Sequence, residues 1–391
     1  MKFLIYIPQL IFGGAEKVLV SFANDLVSRG HEVQILELYE KGYLKPQFDE
    51  RVTFDAICSE AYTEKYYASL AQVKKNPLLV GKLVFSKLVG YRKFAEKLAA
   101  KRYKNQEFDV AINYLEIESP VFLLSHVKAK KYIQWIHIDV KNLENPAEHD
   151  HHLPAWERMD SIVCVSQAAV DNFITRYPTL TDKTHLIYNF FDEEAIKRQS
   201  VHPCILLGMK PALLSVGRMT EQKKYLRFLD VLARIRDDGF EFSWHVLGEG
   251  IQRTEIEEKI RQLKLEDRVY LHGLTDNPYK YMKNCDLFVL PSGWEGFPTV
   301  TVEAKILECP VLATDVAGIR EQLRHGETGW IVDNREDAIY DGLKYLLQTP
   351  EMLEKLKSNE GMEQVCNNDG KYSSFCVIIC SKRIDRKNGY K

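Results

Sequence analysis

The feature that most constrains this chain is an alternation. Short apolar runs of strand length trade places with amphipathic helical stretches from end to end. One series of runs comprises Phe3–Ile7, His31–Leu38, Asp109–Tyr114, Lys131–His137, Ser161–Val165 and Thr184–Tyr188, with a helical Glu16–Arg29 after the first. A second comprises Ala212–Val216, Phe242–Leu247, Val269–Leu271, Leu287–Pro291, Val311–Ala313 and Trp330–Val332. Helical intervals Tyr225–Asp237, Gln252–Leu263, Val302–Leu307 and Ala338–Leu347 separate the second set. Parallel strands need long crossovers, and helices supply them, so the pattern predicts parallel sheets. Two series predict an α/β protein of two doubly wound, Rossmann-like domains, which a length of 391 residues accommodates. Periodicity fails between 190 and 211. The expected division is 1–198, 199–360 and an atypical tail, 361–391, in which no helical period shows. Ligands of such sheets bind beyond the carboxyl ends of strands, so the expected site is the cleft between the domains.

Composition narrows the function classes. A formal net charge of −2 gives no global case for nucleic acid. Eight scattered cysteines without a CxxC pair indicate neither a zinc site nor a disulfide framework, and suit a reducing cytoplasm. The N-terminus has the outline of a signal peptide, but Pro8 and Gln9 interrupt its apolar run. It reads instead as a buried first strand entering a glycine turn. No stretch approaches the ~18 apolar residues of a membrane span. The interval 74–104 stands apart, with ten Lys or Arg against one acid, Glu96, and interleaved Leu78, Leu79, Leu83, Phe85, Leu88 and Phe94. It reads either as a crossover helix with a solvated charged face or as a helix lying on an anionic membrane surface.

The candidate chemistry sits at predicted strand exits. Gly13 and Gly14 separate the first strand from the first helix, where bare backbone lets a ligand approach and a helix N-terminus favours an anion. Gly217 ends a strand in SVGRMTEQKK, and Arg218 and Lys223 follow it. Two cations there suit a diphosphate, Arg as a fork and Lys as a point charge. His137 ends another strand, where it is either structural or a partner for a sugar hydroxyl. Gly248, Gly250 and Gly273 mark two further exits, as turn glycines or as points of close approach. In WEGFPTVTVEAK, residues 294–305, Glu295 and Glu303 lie eight positions apart, and Pro298 is placed as a first helical residue. A helix N-terminus between two carboxylates matches the layout of a sugar nucleotide: sugar, diphosphate, ribose.

Taken in order, these residues resemble the retaining glycosyltransferases of family four, which have the GT-B fold, two Rossmann-like domains facing a central cleft. The most specific element is Glu-x7-Glu, here EGFPTVTVE; GGAEK, GR-x4-K, the strand-end His137 and IYNFFD with Asn189 accompany it. The resemblance implies a nucleotide-sugar donor, UDP-linked, and a glycan or lipid-linked glycan acceptor, in surface or capsular polysaccharide synthesis. It implies a hexosyl or N-acetylhexosaminyl group moved with retention, by same-face attack in which the leaving phosphate takes the acceptor proton. No cofactor and no metal are implied, and the chain has no Asp-x-Asp motif. Gly14 would meet the β-phosphate, and Arg218 and Lys223 would neutralise the diphosphate. Glu295 would hold the donor sugar, with His137 near the reaction centre. Gly296, Phe297, Pro298 and Thr299 would present backbone, Leu274 would meet the base, and Glu303 the ribose. Placement follows: cytoplasmic, at the inner face of the membrane through 74–104, with no nucleic acid. Two other readings use the same fold, a sugar-nucleotide epimerase and a non-catalytic binding or scaffold protein. The chain departs from the family at Lys224, where Gly is common, and in its tail, which does not read as the usual helix returning to the first domain.

Overall fold

The computed structural model describes all residues except 12, 63, 65–80, 142–146, 148, 359, 361 and 382–391; for 81–91, 363 and 364 it describes the backbone only. Both series of strands are present. The first sheet contains β1 (Lys2–Ile7), β2 (Glu32–Tyr39), β3 (Thr53–Cys58), β4 (Glu107–Asn113), β5 (Lys128–Ile136), β6 (Ser161–Cys164) and β7 (Thr184–Leu186), in the order β3-β2-β1-β4-β5-β6-β7. The second contains β8 (Ala212–Val216), β9 (Ser243–Leu247), β10 (Val269–Gly273), β11 (Leu287–Leu290), β12 (Val311–Thr314) and β13 (Trp330–Val332), in the order β10-β9-β8-β11-β12-β13. Neighbouring strands pair in parallel throughout both sheets. Helices cover both faces, so central strands such as β1 and β11 are buried nearly end to end. Strand order reverses between β1 and β4 and between β8 and β11. The Gly13–Gly14 and Gly217–Arg218 turns leave β1 and β8, on the two sides of the cleft, where such folds open a crevice.

β3 is the strand that apolar patterning misses. It pairs only with β2 and carries Asp55 at its centre. That carboxylate is held by Arg102 at 3.1 Å and by the Tyr103 hydroxyl at 3.0 Å. An edge strand whose polar group finds a partner on a neighbouring helix does not advertise itself as an apolar run.

The tail corrects a second expectation. Asn368–Cys380 is a helix, capped by the Asn367 side chain accepting from the Gly370 N–H at 2.8 Å, and it returns to the first domain. Phe375 is fully buried, with ring centroids 6.0 Å from Phe3, 5.4 Å from Phe22 and 6.0 Å from Trp135. Its buried positions, Lys371, Phe375, Ile378 and Ile379, do have helical spacing. The period is hidden because a lysine occupies the first of them, while Val377 faces solvent. Lys371 reaches the Asn189 carbonyl at 2.7 Å, between the two sheets in sequence, and Asn368 pairs with the backbone of Phe191.

The basic interval 74–104 falls partly outside the described residues. Its second part is the helix Gly81–Tyr103. Ala95, Ala99 and Tyr103 are buried, while Lys93, Phe94, Lys97, Leu98 and Lys101 are exposed.

Candidate active site

The site begins where β11 ends. Residues 291–298 cross the cleft as a loop, and the helix Thr299–Ile306 follows. Pro298 stands one position outside that helix, at the cap with ψ 112°, rather than as its first helical residue. Its extended backbone leaves its carbonyl free to accept from the Thr301 hydroxyl at 2.8 Å and from Gln322 at 3.2 Å. The helix start packs against Gly14: a Cβ added there would lie 3.1 Å from Thr299 Oγ1. A glycine at this position keeps bare backbone of one domain against the helix start of the other.

Glu295 is 8% exposed and both its oxygens are engaged. Oε1 lies 2.7 Å from Lys223 Nζ, and Oε2 accepts from Gln222 at 3.2 Å. Gln222 also donates to the Trp294 carbonyl at 3.0 Å. The 217–224 and 291–298 loops are therefore laced into one rigid wall. One of the three ammonium N–H bonds of Lys223 goes to Glu295, which leaves donors for an incoming anion. Arg218, by contrast, is exposed at the mouth of the cleft. Lys224 has φ 52°, the left-handed region in which glycine is unstrained. The family's preference for Gly at this step thus has a backbone cause, and this chain holds the strained residue with an ion pair to Glu221 and the Trp294 ring 5.6 Å from its ammonium.

Gly217 and Gly248 have φ 159° and 144°, and Gly248 is crowded as well. A Cβ on Gly217 would lie 2.7 Å from Lys223 Cε, and one on Gly248 would overlap the Gly217 carbonyl. The turn after β9 is pressed onto the turn after β8, the turn from which Arg218 and Lys223 follow. Leu274, beyond β10, is 62% exposed.

Glu303, in the second turn of its helix, is 4% exposed, and Oε2 has no hydrogen-bond partner among the described residues. Burial raises its pKa, while Lys17 and a hydrogen bond with Tyr279 act in the opposite sense. It faces a cavity of about 290 Å³ that Lys17, Ser21, Tyr279 and Arg198 also line. A carboxylate with a free oxygen in a cavity of this size is equipped to accept from ribose-type hydroxyls.

The first domain contributes His137 and, around it, groups that motif reasoning passed over. His137 follows β5, and its Nε2 is out of solvent without a hydrogen-bond partner among the described residues. Burial drives its pKa down to about 3, and a hydrogen bond to the Tyr114 backbone opposes this only in part. The ring is neutral at physiological pH. Its backbone N–H donates to Glu116 Oε2 at 2.9 Å. Glu116 is 2% exposed, and burial pushes its pKa up to about 7. The buried Tyr114 hydroxyl also has no hydrogen-bond partner among the described residues, and the Tyr114 and His137 rings lie 4.7 Å apart. Glu16 folds its carboxylate over Gly13; burial raises its pKa, and Arg218 across the cleft acts to lower it. GGAEK and INYLE contain these residues, but only the fold brings them to His137.

The two walls touch at Gly296. A Cβ there would overlap the His137 carbonyl, and its own carbonyl accepts from the Ser166 hydroxyl at 2.9 Å. Thus Glu295, Lys223, Thr299, Gly14 and His137 converge, Glu303 lies one helical turn beyond, and Arg218 stands at the entrance. Among the described residues no group of three or more His, Cys, Asp or Glu side chains is placed to hold a metal ion.

Comparison with known proteins adds independent observations. Residues 12–195 match the model described as Glycosyltransferase Family 4, and residues 203–361 match Glycosyl transferases group 1. One curated relative, the N-acetylgalactosamine-N,N'-diacetylbacillosaminyl-diphospho-undecaprenol 4-alpha-N-acetylgalactosaminyltransferase of Campylobacter jejuni, is 30% identical over 205 residues, 52% of this chain and 55% of that protein. The 2-deoxystreptamine N-acetyl-D-glucosaminyltransferase of Niallia circulans is 27% identical over 221 residues, 51% of this chain and 56% of its own. The chain thus spans about half the length of these curated relatives. Among solved structures, Anabaena HepE in complex with UDP and glucose superposes with a TM-score of 0.74 at 17% identity, over 98% of this chain and all of the other. A mutant form of S. aureus TarM in complex with fondaparinux, alpha-GlcNAc-glycerol and UDP gives 0.75 at 13%, over 97% of this chain and all of the other. At these identities the likeness is one of fold.

Proposed function

The chain belongs to the two-domain GT-B glycosyltransferases, and from that premise we propose that it moves a hexosyl or N-acetylhexosaminyl group from a UDP-linked donor to a saccharide acceptor, with retention of anomeric configuration and without a metal ion. One observation carries this reading: the Lys223–Glu295 pair, the N-terminus of the Thr299–Ile306 helix and the bare backbone of Gly14 meet in one cleft. Those are the groups a sugar diphosphate needs, a hydroxyl acceptor beside an anion cradle.

Each group has a task in transfer. The diphosphate lies beside the junction of the helix N-terminus with Gly14, with Lys223 and the Arg218 fork on its oxygens. As the bond from the anomeric carbon to the β-phosphate oxygen breaks, the electron pair leaves with the phosphate. Fixed cations and N–H groups stabilise that charge without reorganising. Glu295 accepts from donor-sugar hydroxyls and holds the anomeric carbon in place. The acceptor hydroxyl attacks the same face of the oxocarbenium-like centre, and its proton passes to the departing phosphate. A neutral His137 meets a sugar hydroxyl through Nε2 and adds no positive charge beside the developing cation. Glu303 holds the ribose, Gly296, Phe297 and Pro298 present backbone to the sugar and phosphate, and Leu274 presents backbone to the base.

The acceptor is proposed to be lipid-linked. The Campylobacter relative is named for a diphospho-undecaprenol acceptor, and the exposed face of Gly81–Tyr103 supports the same assignment. There Phe94 and Leu98, 57% and 42% exposed, stand among Lys93, Lys97 and Lys101. Apolar side chains flanked by lysines suit an anionic bilayer surface.

A nucleotide-release screen over UDP- and GDP-sugars, with saccharide and lipid-linked saccharide acceptors, tests the reaction. Acceptor-dependent UDP release is expected. Release without an acceptor product, or none with any donor, overturns the reading. The anomeric configuration of the product by NMR tests retention. Flotation with anionic and neutral liposomes tests the membrane assignment, which equal recovery from both would remove.

A further inference from the structure

Three successive strand ends of the first domain grip one loop of the second. After β5, the His137 carbonyl packs on Gly296 where a side chain would otherwise project. After β6, the Ser166 hydroxyl donates to the Gly296 carbonyl at 2.9 Å. After β7, the Tyr188 ring lies 5.4 Å from that of Phe297. Ser166 is fully buried and is also the cap of the Gln167–Arg176 helix, accepting from the Ala169 N–H at 3.0 Å.

The same helix start receives a carboxylate from the second domain. Glu321 Oε2 accepts from the Gln167 N–H at 2.8 Å and from the Tyr188 hydroxyl at 3.0 Å, and Oε1 faces the Ala168 N–H at 3.2 Å. An anion at a helix N-terminus satisfies N–H groups that have no partner within the helix and opposes the dipole favourably. Glu321 lies three residues after Gly318, whose backbone packs on Phe297. The contacts of His137 and Ser166 with Gly296, of Tyr188 with Phe297, and of Glu321 with Gln167, Ala168 and Tyr188 join one domain to the other around the loop beside Glu295.

We propose that Ser166, Tyr188 and Glu321 are positioning residues for sugar transfer: they form a clasp that couples closure of the two domains to placement of the Glu295–Phe297 loop against His137. None of the three touches the reacting atoms. Closing the cleft seats Glu321 on the helix start and Ser166 on Gly296, and these two contacts set the distance between the donor wall and the acceptor wall. An open enzyme keeps Lys223, Glu295, the Thr299 helix and Glu303, all in the second domain, so it retains nucleotide affinity and loses transfer. Misplacement by an ångström is enough for large rate losses.

This inference rests on the transfer reading, and its test separates the two. The full chain is compared with Glu321→Ala and Ser166→Ala. The readouts are small-angle scattering with and without saturating UDP, UDP affinity, melting temperature and acceptor-dependent turnover. The expected result is a larger radius of gyration for both variants with UDP bound, turnover lower by about tenfold or more, UDP affinity within about threefold and a melting temperature lowered by no more than the loss of one helix cap explains. An unchanged radius in both variants overturns the clasp. So does turnover that falls only in step with UDP affinity or melting temperature, which is what a merely structural role produces. A parent chain that turns over no nucleotide sugar overturns the transfer reading, and the scattering comparison still decides the clasp. Glu321→Asp, which shortens the reach but keeps the charge, is expected to recover part of the lost turnover; recovery equal to Glu321→Ala counts against the carboxylate.

Discussion

Lys223 Nζ lies 2.7 Å from Glu295 Oε1, so groups assigned to the diphosphate and to the sugar of a donor neutralise each other across 72 residues of chain. The pair is nearly out of solvent, with side chains 13% and 9% exposed. Neither charge is left alone before substrate arrives, and a diphosphate can take up the remaining ammonium donors without a large rearrangement. Losing either partner strands the other in a poorly hydrated place.

Lys223→Ala and Glu295→Ala are each expected to lower turnover by about a hundredfold or more. The double variant should be no slower than the slower single one, because the two act as a unit. Nucleotide release under saturating donor measures this. Rates within about tenfold of the parent in both single variants would sink the assignment.

Gly296→Ala is expected to cost about a hundredfold in turnover, although its backbone conformation tolerates alanine. The added Cβ overlaps the His137 carbonyl across the cleft, and only parting of the domains relieves that contact. A parent-like rate with both substrates would show that the closed geometry is not the reactive one.

His137 and Glu116 make opposite contributions to stability against pH. The folded pKa of His137 is lowered from 6.5 to about 3, so the unfolded chain binds the extra proton between those values and stability falls as pH drops through that window. Glu116 is raised from 4.5 to about 7, so the folded chain binds the extra proton and stability falls as pH rises from 4.5 to 7. Between 4.5 and 6.5 the two slopes oppose. His137→Asn should unmask a loss of stability with rising pH there, and Glu116→Gln a gain. Denaturant titrations across pH 4 to 7.5 check it; identical slopes in the parent and both variants would contradict it.

Phe375→Ala is expected to destabilise the chain by about 3–5 kcal/mol, the range for removing a fully buried aromatic. Three aromatic neighbours of the first domain lose their cover, and thermal or chemical unfolding reads the loss directly. A change below about 1 kcal/mol would mean the C-terminal helix does not stay on the first domain in solution.

The alternation of apolar runs and helices determined the two parallel sheets, because burial on both faces leaves a local signature in every central strand. It also placed Gly13, Gly217, His137 and Glu295 at strand exits, since a turn glycine or a polar residue after an apolar run marks where a strand stops. β3 escaped because Asp55 is satisfied by a helix residue 47 positions away. The C-terminal helix escaped because Lys371 occupies its buried face, held by a carbonyl 182 positions distant.

Tertiary structure alone decided what faces what. The sequence spaces Glu295 and Glu303 eight residues apart, but only the folded chain shows Glu295 held by Lys223 and Gln222 while Glu303 keeps a free oxygen over a cavity. It likewise sets Glu116 under His137, and Ser166, Tyr188 and Glu321 around Gly296 and Phe297. Periodicity is a local property, written in residues three, four or two positions apart. The partners of a buried charge or a crowded glycine come from distant elements, and no local pattern encodes which of them will meet.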